Sequence, residues 1–266
     1  MTYGFLGAGN MGRAMIEGMI CSGIHPSDIV VRDKLSQQAV TDMYKVCGAD
    51  SYEELFSLSD MVFVVVKPKD CADAYAELLP FIKTYKRILV SVAAGVALSQ
   101  IYGMIGETIP LVRIMPNLAA RYCLSPTAMC PGHTAGAEDI SAVTAALDTF
   151  GESFIIEEDH FNIFTSVASC SPAFTFMYID ALARAALSYG MDKKTAEKIA
   201  ALSVAGAAEL LKNSGQHPYE LIDRVCSPGG MTLEGVQNLF ESGFTASVMR
   251  AVSACCEKDK LLAAQR

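Results

Sequence analysis

Residues 7–12 read Gly-Ala-Gly-Asn-Met-Gly, and no other stretch limits the possible folds as tightly. They follow the apolar run Tyr3-Gly4-Phe5-Leu6 and open a helical pattern over 12–22. In a Gly-x-Gly-x-x-Gly turn the first glycine permits the tight bend. The second lets backbone approach a pyrophosphate, and the third lets helix and strand pack closely. Gly7, Gly9, Asn10, Met11 and Gly12 are therefore candidate dinucleotide-binding residues, with the phosphates at the helix N-terminus.

The rest of the first half extends this unit. Strand patterns at 3–6, 28–31, 61–66, 87–92, 111–114, 127–130 and 153–156 alternate with amphipathic stretches such as 12–22, 37–47, 72–82 and 138–150. Runs such as Val62-Phe63-Val64-Val65-Val66 suit strands covered on both faces. Strand–helix alternation implies right-handed crossovers and an α/β, doubly wound, mostly parallel sheet.

After about residue 160 the strand signal stops. Helical patterns cover 161–189, 193–214, 219–225, 233–241 and 245–264. Residues 161–179 carry no charge and approach membrane-span length. They contain Asn162, Pro172 and several hydroxyl side chains and lack basic flanks, so a buried helix is expected, kinked or broken near Pro172. Small residues crowd 200–208 and allow close helix contact. The expected division is a nucleotide-binding domain over 1–158 and an all-helical domain over 159–266.

At 52% hydrophobic the chain can bury a real core, and its net charge of −8 disfavours nucleic acid and acidic membrane surfaces as partners. The nine cysteines form no Cys-x-x-Cys pair, and His25, His133, His160 and His217 are scattered. Reduced thiols in a cytoplasmic protein are expected, without a metal site or disulfides. No secretory signal is expected, because 3–6 already reads as structure.

Two further stretches carry chemistry. Arg32-Asp33-Lys34 lies about 20 residues beyond Gly12, where an acidic residue binds the ribose 2′-hydroxyl of NAD and a basic one favours the 2′-phosphate of NADP. Both types are present, so the preference stays open. Ser227-Pro228-Gly229-Gly230-Met231-Thr232 combines a turn, two flexible positions and a hydroxyl just before a helical pattern. Such a turn aims backbone N–H groups at one point and adds the positive end of a helix, which suits a small carboxylate. Thr is also a good N-cap, so Thr232 has a capping role open to it.

With these pieces placed, the chain resembles the pyrroline-5-carboxylate reductase family over nearly its whole length. The resemblance rests on Phe5-Leu6-Gly7-Ala8-Gly9-Asn10-Met11, Val66-Lys67-Pro68, Ser91-Val92-Ala93-Ala94-Gly95-Val96, Arg113-Ile114-Met115-Pro116-Asn117 and the 227–232 motif. It implies a Rossmann domain plus a helical dimerisation domain that intertwines two subunits. It also implies a homodimer or an assembly of dimers, and reduction of a cyclic imine by NADPH or NADH. By motif, Lys67, Pro68, Ala93, Ala94 and Asn117 join the cofactor-binding residues. Ser227 and the N–H groups of Gly230, Met231 and Thr232 would hold the substrate carboxylate, and the Thr232 hydroxyl would bond the imine nitrogen. Hydride delivery to C=N needs alignment more than a strong acid, and such an imine takes its proton from solvent. Thr232 is thus the catalytic residue as an orienting and relaying hydroxyl.

The chain departs from the family's Thr-Pro-Ala at Leu118-Ala119-Ala120, and from glycine-bearing stretches at Cys123-Leu124-Ser125 and at Ala168-Ser169-Cys170-Ser171, with three glycine-to-Ser or Cys type changes. These changes are expected to narrow backbone approach and limit positive φ. They leave two alternatives: a reductase of another cyclic imine or a hydroxy acid, and a non-catalytic nucleotide-binding sensor. The absence of lysine over 161–189 speaks against the hydroxy acid.

Overall fold

The computed structural model describes residues 1–264; Gln265 and Arg266, at the end of the expected helical domain, lie outside the described residues. The chain forms two compact units: Met1–Ser169 with the residues from Glu257 onward, and Cys170–Cys256.

The first unit is built on one sheet of eight strands: β1 (Tyr3–Leu6), β2 (Ile29–Arg32), β3 (Cys47–Gly48), β4 (Met61–Val64), β5 (Ile88–Ser91), β6 (Leu111–Met115), β7 (Ser125–Pro131) and β8 (Gly151–Ile155). Their order is β3-β2-β1-β4-β5-β6-β7-β8. All neighbours are parallel except β6 and β7, which run antiparallel with Arg113 opposite Cys130. The strand order reverses between β1 and β4, the place where doubly wound sheets bind ligands.

Helices α1 (Asn10–Cys21), α2 (Gln37–Tyr44), α3 (Tyr52–Leu58), α4 (Cys71–Tyr85), α5 (Leu98–Ile105) and α6 (Ala137–Leu147) cover the sheet. Alternate strand residues face opposite ways, which makes two cores. Phe5, Val31, Phe63, Val90 and Val112 pack against Met15, Ile16 and Met19 of α1 and Val143 and Leu147 of α6. Leu6, Val30, Val62, Val64 and Leu89 pack against Phe56 of α3, Tyr75 and Leu78 of α4 and Ile101 of α5. This two-faced burial is why the central strands read as unbroken apolar runs. The β3 pairing, Cys47 opposite Val30 and Gly48 opposite Val31, is too short to leave a periodic signal.

The helical pattern over 161–189, expected to be kinked or broken near Pro172, is interrupted just before that residue. The structure breaks it into α7 (Phe161–Phe164), a wide π-helical turn (Thr165–Cys170) and α8 (Ser171–Ser188). Pro172 sits in the first turn of α8, where its missing N–H costs no hydrogen bond. The expectation of a buried helix over 161–179 fails for the single chain, since Phe176 is 68% and Met177 73% exposed. No helix among the described residues is long and apolar enough to cross a membrane.

The second unit holds α8, α9 (Lys193–Ser214), α10 (Pro218–Val225) and α11 (Met231–Glu241); α12 (Phe244–Ala264) starts in it. Asp192 caps α9 by accepting from the N–H groups of Lys194 and Thr195, each at 3.0 Å. The buried apolar side chains here are small: Ala183, Ala196 and Ala200. Large ones, among them Leu202 and Met249, are exposed.

Candidate active site

The glycine loop is shaped by close backbone approach. Gly7 has φ +101°, and a Cβ there would lie 2.4 Å from the carbonyl oxygen of Val65, just beyond β4. A Cβ on Gly12 would lie 2.4 Å from the carbonyl oxygen of Gly7. Gly9 differs: it is the N-cap of α1, exposed, and nothing lies within 4 Å of the place its Cβ would take. Two glycines thus seat the loop against the protein, and the middle one leaves room outside. The first turn of α1 carries no acidic side chain and no side-chain cap, so its N–H groups and dipole face outward. These features fit a dinucleotide pyrophosphate.

Asp33 is placed to brace this loop. One carboxylate oxygen accepts from the Ala8 N–H at 2.7 Å. The other accepts from the N–H groups of Leu35 and Ser36, at 2.9 and 2.6 Å, and from the Ser36 hydroxyl at 2.9 Å. Burial acts to raise its pKa, but these hydrogen bonds together outweigh burial and hold the carboxyl below its ordinary range. Arg32 donates to the Ala49 carbonyl at 3.2 Å and lies over the Tyr52 ring. Lys34 is exposed beside Glu77, 3.3 Å away. Of the three residues at the end of β2, Lys34 is the most exposed, with its ammonium paired to Glu77.

Lys67 and Pro68 follow β4 at its carboxyl end, Lys67 exposed and Pro68 half-buried. Ala93 is buried and Ala94 exposed in the turn after β5, where Gly95 has φ +69°. Asn117 is buried with both ends of its amide engaged. It accepts from the Ala119 N–H at 2.9 Å and donates to the Ala168 carbonyl at 2.8 Å. Its own N–H donates to Ser125 Oγ at 2.9 Å. The loops ending β1, β4, β5 and β6 thus gather at the carboxyl edge of the sheet.

The departures from glycine behave differently from expectation. Cys123 adopts φ +56° without being glycine, so the backbone keeps the left-handed turn at a cost of about 1 kcal/mol. Ser125 supplies the hydroxyl that holds Asn117. The expectation that these side chains would limit positive φ is therefore corrected at Cys123.

In the second unit the 227–232 motif forms a tight turn. Gly229 has φ +67°, and the Gly230 N–H donates to the Ser227 carbonyl at 2.9 Å. Gly230 is the N-cap of α11, and a Cβ there would meet Ser227 Oγ at 2.3 Å. Ser227, Met231 and Thr232 are exposed. Capping is thus done by Gly230, and Thr232 sits inside the first turn, which sets aside the N-cap role open to it in the sequence. α11 has no side-chain cap, so its first N–H groups point at whatever the turn holds.

Residues 2–95 match the family described as NADP oxidoreductase coenzyme F420-dependent. Residues 158–262 match pyrroline-5-carboxylate reductase dimerisation. The chain is 37% identical to the pyrroline-5-carboxylate reductase of Escherichia coli (strain K12) over 264 residues, 97% of each protein. The chain belongs to the pyrroline-5-carboxylate reductase family. The 1-pyrroline-5-carboxylate reductase structure from Streptococcus pyogenes is similar at 32% identity and a TM-score of 0.85, covering 98% of both chains. The Plasmodium falciparum pyrroline carboxylate reductase, solved with NADP bound, matches at 25% identity and a TM-score of 0.87, covering 99% of this chain and 98% of that one.

Several contacts around these residues were not legible in the sequence. Ser36 and Ser125 brace Asp33 and Asn117 through hydroxyls that carry no distinctive spacing. Glu158 is ion-paired to the buried Arg113 at 2.7 Å. Arg113 was itself a signal, since a charge inside an apolar strand demands a counter-charge.

Proposed function

We propose that the chain is a pyrroline-5-carboxylate reductase: it reduces the cyclic imine to L-proline with NADPH or NADH, in the cytoplasm, as a homodimer or an assembly of dimers. Nucleic acid and membranes are not its partners. The observation that carries the reading most is the end-to-end match to reductases of this name. Residues 1–158 act as the nucleotide-binding domain, and 159–266 as the dimerisation and substrate-binding domain.

The residues divide the work. Gly7, Gly9, Asn10, Met11 and Gly12 receive the pyrophosphate at the N-terminus of α1. Lys34 is the group at the end of β2 best placed to meet a 2′-phosphate, while Asp33 and Arg32 shape the loop beside it. Lys67, Pro68, Ala93, Ala94 and Asn117 line or brace the cofactor side. The bound dinucleotide supplies the hydride. Ser227 and the N–H groups of Gly230, Met231 and Thr232 hold the carboxylate, which fixes the ring. The Thr232 hydroxyl accepts from the protonated imine nitrogen and keeps C=N in line. A hydroxyl of ordinary acidity does not protonate an imine, so its part is orientation and proton relay. Positioning of this kind supplies most of what hydride transfer to a charged C=N requires.

The large apolar side chains exposed on α8, α9 and α12 support the dimer, because α8 and α9 bury little beyond alanine by themselves. Steady-state oxidation of NADPH and of NADH with pyrroline-5-carboxylate tests the proposal. Turnover is expected; tight cofactor binding with no turnover across a panel of cyclic imines would favour a sensor instead.

A further inference from the structure

The turn after β5 carries Ala93 and Ala94 and runs directly into α5. The first N–H groups of that helix have no partners within it. The Ala97 N–H is met locally by Gln100 Oε1 at 2.8 Å. The Leu98 N–H donates to Glu158 Oε1 at 2.8 Å, a residue from the segment beyond β8. The same oxygen accepts from Arg113 Nη1 at 2.7 Å. Arg113 belongs to β6, 45 residues before Glu158, and its guanidinium lies 4.4 Å from the centre of the Phe161 ring. Its side chain is only 7% exposed, against 29% for Glu158.

One carboxylate oxygen therefore ties three places together: the start of α5, the middle of β6 and the segment leading into α7. A carboxylate at a helix N-terminus is favoured by the helix dipole, and the buried cation beside it fixes its position. The two chain segments that leave this clamp are the Ala93–Ala94 turn and, along β6, Met115-Pro116-Asn117.

We propose that Glu158 is a positioning residue for the dinucleotide: it sets the turn bearing Ala93 and Ala94 by holding the Leu98 N–H, and Arg113 holds Glu158. This rests on the reading above that the turn meets the cofactor. The acceptor and the charge do different jobs. The acceptor fixes the turn, and the charge keeps buried Arg113 compensated. Glu158→Gln retains an acceptor oxygen and loses the charge; Glu158→Ala loses both.

The experiment titrates NADPH into the full-length protein without imine, following the fluorescence of the reduced dinucleotide, and records Tm for each variant. Wild-type turnover with pyrroline-5-carboxylate is measured alongside, so that a failure of the enzymatic reading is seen separately from a failure of this one. Both variants are expected to melt below wild type, because both leave Arg113 uncompensated. Glu158→Ala is expected to weaken NADPH binding about tenfold, while Glu158→Gln stays within about threefold of wild type; about tenfold corresponds to roughly 1.4 kcal/mol. Wild-type affinity in Glu158→Ala despite a lowered Tm would make the clamp purely structural and overturn the proposal. Equal losses in both variants would assign the effect to charge and overturn it too. If neither variant folds, amide exchange in the wild type decides. A protected Leu98 N–H supports the clamp, and exchange at the rate of an open loop contradicts it.

Discussion

The two units of this chain solve the burial problem in opposite ways. In Met1–Ser169 the central strands are covered on both faces, and Phe5, Phe63, Tyr75 and Phe150 are fully buried. In Cys170–Cys256 the buried apolar side chains are alanines, while Phe176, Met177, Leu202 and Met249 face outward. A sheet between helix layers closes its own core. Helices that bury only alanine leave most of their apolar surface to be covered by another chain. The glycine loop thus lies in the self-sufficient part, and the 227–232 turn in the part that leaves apolar surface uncovered.

The sharpest break in this contrast is in the sheet. Phe63→Ala removes a fully buried ring and is expected to cost about 3–5 kcal/mol, read by denaturant unfolding. Met177→Glu combined with Met249→Glu places charges on exposed apolar positions. This variant is expected to leave the sheet intact, to shift the mass measured by sedimentation toward a single chain, and to lower turnover at least about tenfold. Association unchanged in that variant would take this face out of the interface.

Smaller effects separate the two sites. Thr232→Ala is expected to lower kcat by about 10- to 100-fold, the worth of one hydrogen bond to a charged group, with NADPH affinity unchanged. Wild-type kcat would remove Thr232 from the mechanism. The smallest effect is pH-dependent. The folded protein holds the Asp33 carboxyl below its ordinary range, so the stability this contributes is full above the unfolded pKa and is lost as pH falls through the folded one. The stability difference between wild type and Asp33→Asn is therefore expected to be largest near neutral pH and to shrink below about pH 4. A difference that grew on acidification would contradict that sign.

The same contrast governs how much was legible. Apolar runs such as Val62-Phe63-Val64 announce their strands because burial on both faces leaves no other reading. The glycine loop announces itself because each glycine has a separate steric reason. The helical region was legible only in part: Pro172 signals a kink or break within 161–189, but nothing local reveals that Thr165–Cys170 widens into a π turn or that Phe176 and Met177 remain exposed in one chain. Asp33 stood out by its spacing from Gly12, but its bracing of Ala8 did not, since that depends on where the loop brings the Ala8 N–H. Glu158 was hidden for a related reason: its partners lie at Leu98 and Arg113, and only the fold brings them together.

We propose that Thr232, at the N-terminus of α11, orients the imine during hydride transfer. This role is tested most directly by following NADPH and NADH oxidation with pyrroline-5-carboxylate, in wild type and in Thr232→Ala. Proline formation by the wild type is expected, with a variant that binds cofactor normally but turns over slowly. Normal cofactor binding with no proline formed by the wild type would contradict it.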